Sequence, residues 1–350
     1  MKSLIVLGKG DTNYSDRNRR RLVQYAKSAG FDVLEADYAG ISGLPRFKHE
    51  KAAVVFFFPF TFWNAHCEVP QDTGLYGTSR ATYDLFSAFF HSVRRELDAR
   101  FGKGNLHYLI PPENAPVDRD KIETIRRMRT NGVPTSEPVV YASLQDILDA
   151  VTPARGVFLK CRYGAEGKGI TVLHHGRWRT NYQVVDGRLT NYGVYDTWPF
   201  TDITGRRELL EQLLETAVIV EHEILTPQTS IGVIKPGTKF DMRVYVVGET
   251  VPHFFVRYND PNAVVTNYSQ GGTVIHHPNT GLDEGCVGNV QAVARDAARA
   301  MGLEFVGVDI MFDGSVAIPR VVEVQAFTDF PDIRNFNLAQ YMVGQSGLFI

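Results

Sequence analysis

Two carboxylates stand in apolar, strand-like runs near the end of the chain. Asp309 lies in the run 307–312 and Glu323 in the run 319–325, with a polar turn between them. An unpaired buried carboxylate is costly, so acids in such strands usually carry a cation or a hydrogen-bonding partner. Gln325 follows Glu323 by two residues, which places both side chains on one face of an extended strand. Three oxygen ligands converging from two neighbouring strands suit magnesium, which takes a few protein oxygens and completes its shell with water and phosphate. The same stretch also reads as a plain hairpin with two solvated or salt-bridged acids. Residues elsewhere decide between the two.

A second set of candidates is cationic. Lys160 ends the apolar run 157–160, and a lysine on such a strand is rarely buried without an anionic partner. The loop that follows contains Gly164, Gly167, Lys168 and Gly169. Glycines let the backbone approach a phosphate closely, and its N–H groups can cradle the oxygens. This is not a P-loop, which needs Ser or Thr after the lysine and then a helix. Here Gly169 follows Lys168 and residues 170–173 read as a strand, so the loop caps a β-hairpin. It either closes over a nucleotide as a flap or is a mobile tip with a solvated lysine. Gly8 and Gly10 lack the third glycine of a dinucleotide fingerprint and read as a tight turn. The pairs His174–His175 and His276–His277 cannot readily chelate one ion, because adjacent side chains of an extended chain point to opposite faces. They read as hairpin or surface histidines, with His276 or His277 near substrate.

The elements that must position these groups follow from periodicity. Residues 1 to about 115 alternate strand and helix, which predicts a small parallel α/β domain. Strands fall at 3–8 and 51–58, and helices at 16–29 and 82–101. In the second helix Leu85, Phe86, Phe89, Phe90, Val93 and Leu97 recur at helical spacing and should face a core. The aromatic run 56–63 reads as core strand and loop, with residues 61–66 a candidate wall of a substrate pocket. Residues 111–116 form a proline-rich linker. A helix from Asp118 places Ile122, Ile125 and Met128 on one face, and Ser143 with Asp146 resembles a capping box. Hairpins are expected over 174–200, a helix over 206–215, strands at 217–221, 242–247 and 251–256, and a helix over 290–301. The tail 327–350 is a candidate for the substrate site or an oligomer contact.

Composition narrows the function classes. The chain has 350 residues, 44% hydrophobic and 22% charged, enough for two or three domains. A net charge of -2 without a long basic run argues against nucleic acid as partner. No apolar stretch reaches the length of a membrane span, and residues 1–8 hold too short an apolar core for a signal peptide. Cys67, Cys161 and Cys286 are spaced too widely for a disulfide framework or a zinc site, so a cytoplasmic location is expected.

The order of these features, from Asp120-Lys121 through Lys160 and the glycine loop, residues 218–224, residues 239–248 with Asp241 and Arg243, Arg257, residues 266–272, Asp309 and residues 323–325, resembles the ATP-grasp superfamily. Within it the chain is most similar to RimK-like carboxylate–amine ligases. The resemblance covers residues from about 117 to 330. It implies an α/β chain with a Rossmann-like pre-ATP-grasp domain at 1–116. A two-lobed α+β ATP-grasp fold would follow, its central and lid part at 117–224 and its metal-bearing part at 225–350.

It also implies roles. Lys121 and Lys160 match the lysines that contact nucleotide phosphates, and residues Gly164, Gly167, Lys168 and Gly169 the mobile phosphate loop. Glu221, His222 and Ile224 match the hinge that binds adenine. Asp241 belongs to the Asp-x-Arg whose arginine, Arg243, lies near the reacting phosphate. Arg257 and Asn267 fall where the family places residues facing the acyl phosphate and metal, and Arg257 is the candidate for orienting the acceptor carboxylate. Asp309 and Glu323 match the magnesium carboxylates. Gln325 stands where the family usually has Asn, keeping the amide oxygen on a side chain one methylene longer.

The implied activity is ATP-dependent amide formation between a carboxylate and an amine through an acyl phosphate. It would use ATP and two Mg2+ ions, for which Mn2+ can substitute. Amino acids or peptides are the implied substrates, and a homodimer is expected by analogy with the family. An ATP-grasp phosphotransferase without an amine acceptor, and a nucleotide-binding regulatory protein that has lost catalysis, remain the alternatives.

Overall fold

The computed structural model describes residues 2–10, 13–68, 74–193, 196–267, 271–345 and 347–349. The first sheet contains β1 (Ser3–Leu7), β2 (Asp32–Ala36), β3 (Ala52–Phe56) and β4 (Leu106–Tyr108), all parallel, in the order β2-β1-β3-β4. Every residue of β1 and β3 is buried, as expected for parallel strands covered on both faces. Its helices are α1 (Asn13–Ser28), α2 (Phe60–His66) and α3 (Arg80–Phe101). In α3, Phe86, Phe90, Val93 and Leu97 are buried, whereas Phe89 is half-buried and Leu85 is exposed. The segment α2 is a helix rather than the expected loop, with Trp63 as its buried residue.

Next come α4 (Lys121–Thr130) and α5 (Leu144–Asp149). Asp120 caps α4 by accepting from the N–H groups of Ile122 and Glu123, and Ser143 with Asp146 forms a complete capping box on α5. Met128 of α4 is buried, but Ile122 is exposed. The second sheet draws on β5 (Val157–Cys161), β6 (Ile170–His174) and β7 (Arg177–Thr180). After the hairpin β8 (Gln183–Val185) and β9 (Arg188–Thr190) it adds β10 (Thr201–Asp202), α6 (Arg207–Leu214) packs nearby, and β11 (Val218–His222) completes it. Its order is β10-β7-β6-β5-β11, antiparallel throughout.

The third sheet, also antiparallel, contains β12 (Lys239–Val247), β13 (Thr250–Asn259), β14 (Thr273–His276), β15 (Phe305–Phe312) and β16 (Pro319–Gln325). Its order is β14-β13-β12-β15-β16. Helix α7 (Glu284–Met301) buries Val290, Ala294 and Ala298. It starts before the expected Val290 because Asp283 caps it, its carboxylate accepting from the Cys286 N–H. The tail forms β17 (Asp332–Ile333), β18 (Phe336–Asn337) and α8 (Leu338–Gly344), and α8 packs on α1.

One apolar core runs from the first sheet into the third, with Phe57 stacked on Phe330 at 5.1 Å and Phe31 against Phe349 at 5.6 Å. A separate core, including Leu159, Tyr182 and Leu210, fills the second sheet. Between these two cores lies the cleft that holds the charged residues.

Candidate active site

Strand register assembles the charges of the third sheet. Arg243 on β12 stands opposite Asp309 on β15, Asp309 opposite Glu323 on β16, and Asp241 on β12 opposite Arg257 on β13. Asp241 and Arg243 alternate along one strand and so share its face. After the Asp309–Glu323 pair the register slips, so that Ile310 pairs with Val321 and Val322 is the extra residue. Such a bulge re-aims side chains. Here consecutive residues Val322 and Glu323 both reach the cleft.

The pairs are bidentate. Arg257 donates from Nε and Nη2 to Asp241 at 2.7 and 2.5 Å, and its Nη2 lies 2.9 Å from Asp309. Arg243 donates from Nε to Asp309 Oδ1 and from Nη2 to Oδ2 at 3.0 Å. Its Nη1 reaches Asp329 at 3.2 Å, and Tyr245 Oη donates to the same carboxylate at 2.7 Å. Burial opposes ionisation of Asp309, but Arg243 and Arg257 outweigh it and hold its pKa down to about 2. Burial, with Asp309 alongside, lifts Asp241 above the usual carboxylate range against the pull of Arg257. One fixed anion, Asp309, therefore sits at the centre of the face.

The second sheet supplies the opposite wall. Lys160 on β5 donates to Glu221 on β11 at 2.7 Å, and Ser136 Oγ donates to the other oxygen of that buried carboxylate. The glycine loop joins β5 to β6, and Cys161 N–H donates to Gly169 O at 3.0 Å where the hairpin opens. Gly167 and Gly169 take positive φ there (71° and 69°). A Cβ on Gly169 would press on Cys161 Sγ at 2.6 Å. Lys168 of the loop is held by Glu68 at 2.8 Å and Glu166 at 3.1 Å. Lys121 Nζ donates to Gly164 O, which ties the start of α4 to the loop.

Between these walls lies a cleft of about 990 Å³ including its opening to solvent. Lys121, Lys160, Gly167, Lys168, Glu221, His222, Ile224, Asp241, Arg257, Asn267, Asp309 and Glu323 all line it. Gly164 and Gly169 lie behind the loop against Cys161, while Arg243 and Gln325 face an adjoining cavity. Tyr268, Ser269 and Gln270 lie outside the described residues. His276 Nδ1 is 3.0 Å from Nε2 of buried His253, and His174 bonds Glu223 at 2.9 Å.

Sequence reasoning passed over several lining residues. Phe158, Lys239 and Met311 each stand two positions from a predicted site residue (Lys160, Asp241, Asp309), so strand alternation carried the signal. Phe158, Ile170 and Val264 form a small apolar cluster at one end of the cleft, and Lys239 Nζ sits 5.2 Å above the Phe158 ring. Glu68, a hundred residues before its partner Lys168, left no local signal.

The chemistry of this arrangement is that of a site for a polyanion with a flat apolar end. Lys121, Lys160 and Lys168 surround the region beside the glycine loop, and the Phe158 cluster offers a slot. Glu323 is half-buried, accepts from Gln325 Nε2 at 3.3 Å and, among the described residues, pairs with no cation. Among the described residues there is no cluster of three or more His, Cys, Asp or Glu placed for a metal. Glu323 is a free carboxylate that fits a magnesium ion taking other oxygens from phosphate and water, and Asp309 opposite it would share its oxygens between such an ion and its two arginines.

The adjoining cavity is larger, about 2340 Å³ including its opening to solvent, and shares Ala165, Lys168, Asn267 and Glu323 with the cleft. Trp63 and Asn64 of α2 and residues 327–330 of the tail contribute to its wall. Among the described residues no helix is long and apolar enough to cross a membrane.

No protein-family model and no curated protein sequence matches the chain. Solved structures do. A structure of the ATP-grasp ligase PsnB, complexed with a phosphomimetic variant of its minimal precursor, Mg and ADP, superposes with a TM-score of 0.55 at 14% identity, covering 98% of this chain and 97% of that one. The D-cycloserine synthetase DcsG gives a TM-score of 0.53 at 16% identity over 98% and 97%. The macrocyclase MdnC bound with its precursor peptide MdnA, from Microcystis aeruginosa MRC, gives 0.54 at 11% identity over 98% of both chains. Likeness at such identity is likeness of fold, and with its two antiparallel sheets closing on one cleft this α/β chain has the ATP-grasp fold.

Proposed function

We propose that the protein is a magnesium- and ATP-dependent carboxylate–amine ligase of the RimK-like kind, acting on amino acids or peptides. The observation that carries it is the convergence of Lys121, Lys160, Lys168, Arg257, Asp309 and Glu323 on one cleft that opens into a second cavity. A nucleotide-binding protein without chemistry would have no use for the shared wall. A phosphotransferase would need no room for an amine beside it.

In this mechanism the adenine lies in the slot made by Phe158, Ile170 and Val264, against the 221–224 segment. Lys121, Lys160 and Lys168 hold the phosphates beneath the glycine loop. For Lys160 and Lys168 this means sharing or exchanging their present carboxylate partners, Glu221 and Glu68. Asp309, sharing its oxygens with Arg243 and Arg257, would hold magnesium together with Glu323 and the amide oxygen of Gln325, and the ion would supply neutralising charge to the phosphates. A carboxylate oxygen attacks the γ-phosphorus, ADP leaves, and an acyl phosphate forms. The amine nitrogen then attacks the acyl carbon, the C–O bond to phosphate breaks, and the amine proton ends on the departing phosphate. Arg243 and Arg257, fixed by Asp309 and Asp241, present positive charge to the transferring group without reorganising, and the chemistry rests on such positioning. Asn267, at the boundary of both cavities, would orient the acyl phosphate.

The test is incubation with Mg-ATP and pooled amino acids and dipeptides, with products read by mass. A new amide mass accompanied by one ADP supports the assignment. A phosphorylated product that persists without amide, or ATP binding with no turnover in any pool, overturns it in favour of the phosphotransferase or the regulatory protein.

A further inference from the structure

Among the described residues, one cation lining the second cavity makes no hydrogen bond. Of the three that line it, Lys168 is held by Glu68 and Glu166, and Arg243 by Asp309 and Asp329. Arg119 differs. Among the described residues its guanidinium makes no hydrogen bond, and its buried Nε has only a loose ion pair with Asp118 Oδ1 at 3.5 Å. The other oxygen of Asp118, Oδ2, accepts from the Ala326 N–H at 3.0 Å.

Aromatic rings hold Arg119 in place. The guanidinium carbon sits 5.1 Å from the Phe58 ring centroid and 5.3 Å from that of Trp63. Trp63 is fixed in turn by its Nε1–H, which donates to Glu68. Stacking of this kind orients the planar fork but satisfies none of its N–H groups. With only a loose ion pair at Nε, the fork keeps N–H groups free for a ligand, and a carboxylate is the group whose two oxygens match it. The turn 117–119 before α4 thus sends Lys121 into the nucleotide cleft and Arg119, two residues earlier, into its neighbour.

The surroundings narrow the ligand. Phe57, Phe58, Trp63, Phe305, Phe327 and Phe330 line the cavity and leave it broadly aromatic. Its charged lining has more acids (Glu68, Glu166, Asp196, Glu323, Asp329) than bases (Arg119, Lys168, Arg243), which disfavours a doubly charged phosphate and tolerates an ammonium.

We propose that Arg119 anchors the free carboxylate of an amino acid or short peptide in this cavity, and that the aromatic wall selects a neighbouring aromatic or large apolar side chain. This deepens the ligase assignment and rests on it for the cavity's place beside the nucleotide.

The experiment is calorimetric titration of the full chain, loaded with magnesium and a non-hydrolysable ATP analogue, using L-phenylalanine, L-phenylalaninamide and L-alanine as probes. L-Phenylalanine should bind roughly tenfold or more tighter than either other probe, because the amide lacks the charged acceptor and alanine lacks the ring. Arg119→Lys and Arg119→Met should each weaken L-phenylalanine roughly tenfold or more while leaving analogue affinity within about twofold. L-Phenylalaninamide binding as tightly as L-phenylalanine overturns the proposal on the wild-type chain alone, even where a variant fails to fold. Retention of L-phenylalanine affinity by a folded variant overturns it as well. Failure of the wild-type chain to bind the analogue would instead overturn the nucleotide assignment beneath it.

Discussion

Lys160 and Glu221 illustrate what a single buried pair asks of the chain. Glu221 is almost wholly buried and depends on Lys160 and Ser136 for its hydrogen bonds. Lys160→Met removes the cation and strands the carboxylate, which should cost about 3–5 kcal/mol in urea unfolding. The double change Lys160→Met with Glu221→Gln should recover much of that loss, because the stranded charge goes too. A double variant less stable than the single one would show that the pair is not what Lys160 contributes. That lysine was legible in the sequence as a charge in an oily run, but its partner was not. The same holds for Asp309, whose two arginines come from β12 and β13, and for Lys168, whose Glu68 comes from just after α2. Charge in an apolar strand announces that a partner exists. Only register and topology say which one.

Strands were read more surely than helix ends. Continuous apolar runs mark β15, β16 and most of β12, which begins at Lys239, three residues before the expected 242. Helix α7 was begun too late, since Gly285 and Gly288 weaken the helical pattern that Asp283 nevertheless caps. Helix α2 was missed because a run of aromatic residues after Pro59 has strand-like composition. Glycines divide by the space around them. Gly307 stands two residues before Asp309, and a Cβ there would collide with Thr328 Oγ1 and lie 3.0 Å from Arg243 Cδ. Gly307→Ala should therefore destabilise by about 1–3 kcal/mol and reduce turnover by displacing Arg243. Gly288, with open space around it in α7, is the control: Gly288→Ala should stabilise by about 0.5–1 kcal/mol and leave turnover unchanged. Thermal unfolding and steady-state rates on both variants check the pair.

Across the whole molecule the first and third sheets share a core, and charged contacts fasten their edge. His107 Nε2 on β4 meets Glu304, just before β15, at 2.8 Å, and the hydrogen bond it donates to that carboxylate raises the His107 pKa against the opposing effect of burial. A histidine whose folded pKa is raised contributes stability that is fully present below its unfolded pKa of roughly 6.5 and fades as pH rises through the folded value. His107→Gln should thus lower the melting temperature at pH 6 and have little effect at pH 9. An equal loss at both pH values would mean the contact is packing rather than charge. This joint was not legible in the sequence, which separates the two residues by almost two hundred positions. The broad plan was legible: alternating strand and helix, then a hairpin-capping glycine loop, then acids in apolar strands.

In the proposed reaction one cleft activates a carboxylate by phosphorylation and passes it to an amine. With the substrate pair found in the pooled assay, the carboxylate is labelled with 18O and the released phosphate is examined by 31P NMR. One 18O atom should pass to inorganic phosphate for each amide formed, with ADP as the nucleotide product. Unlabelled phosphate, or AMP carrying the label with pyrophosphate released, would contradict the proposed reaction.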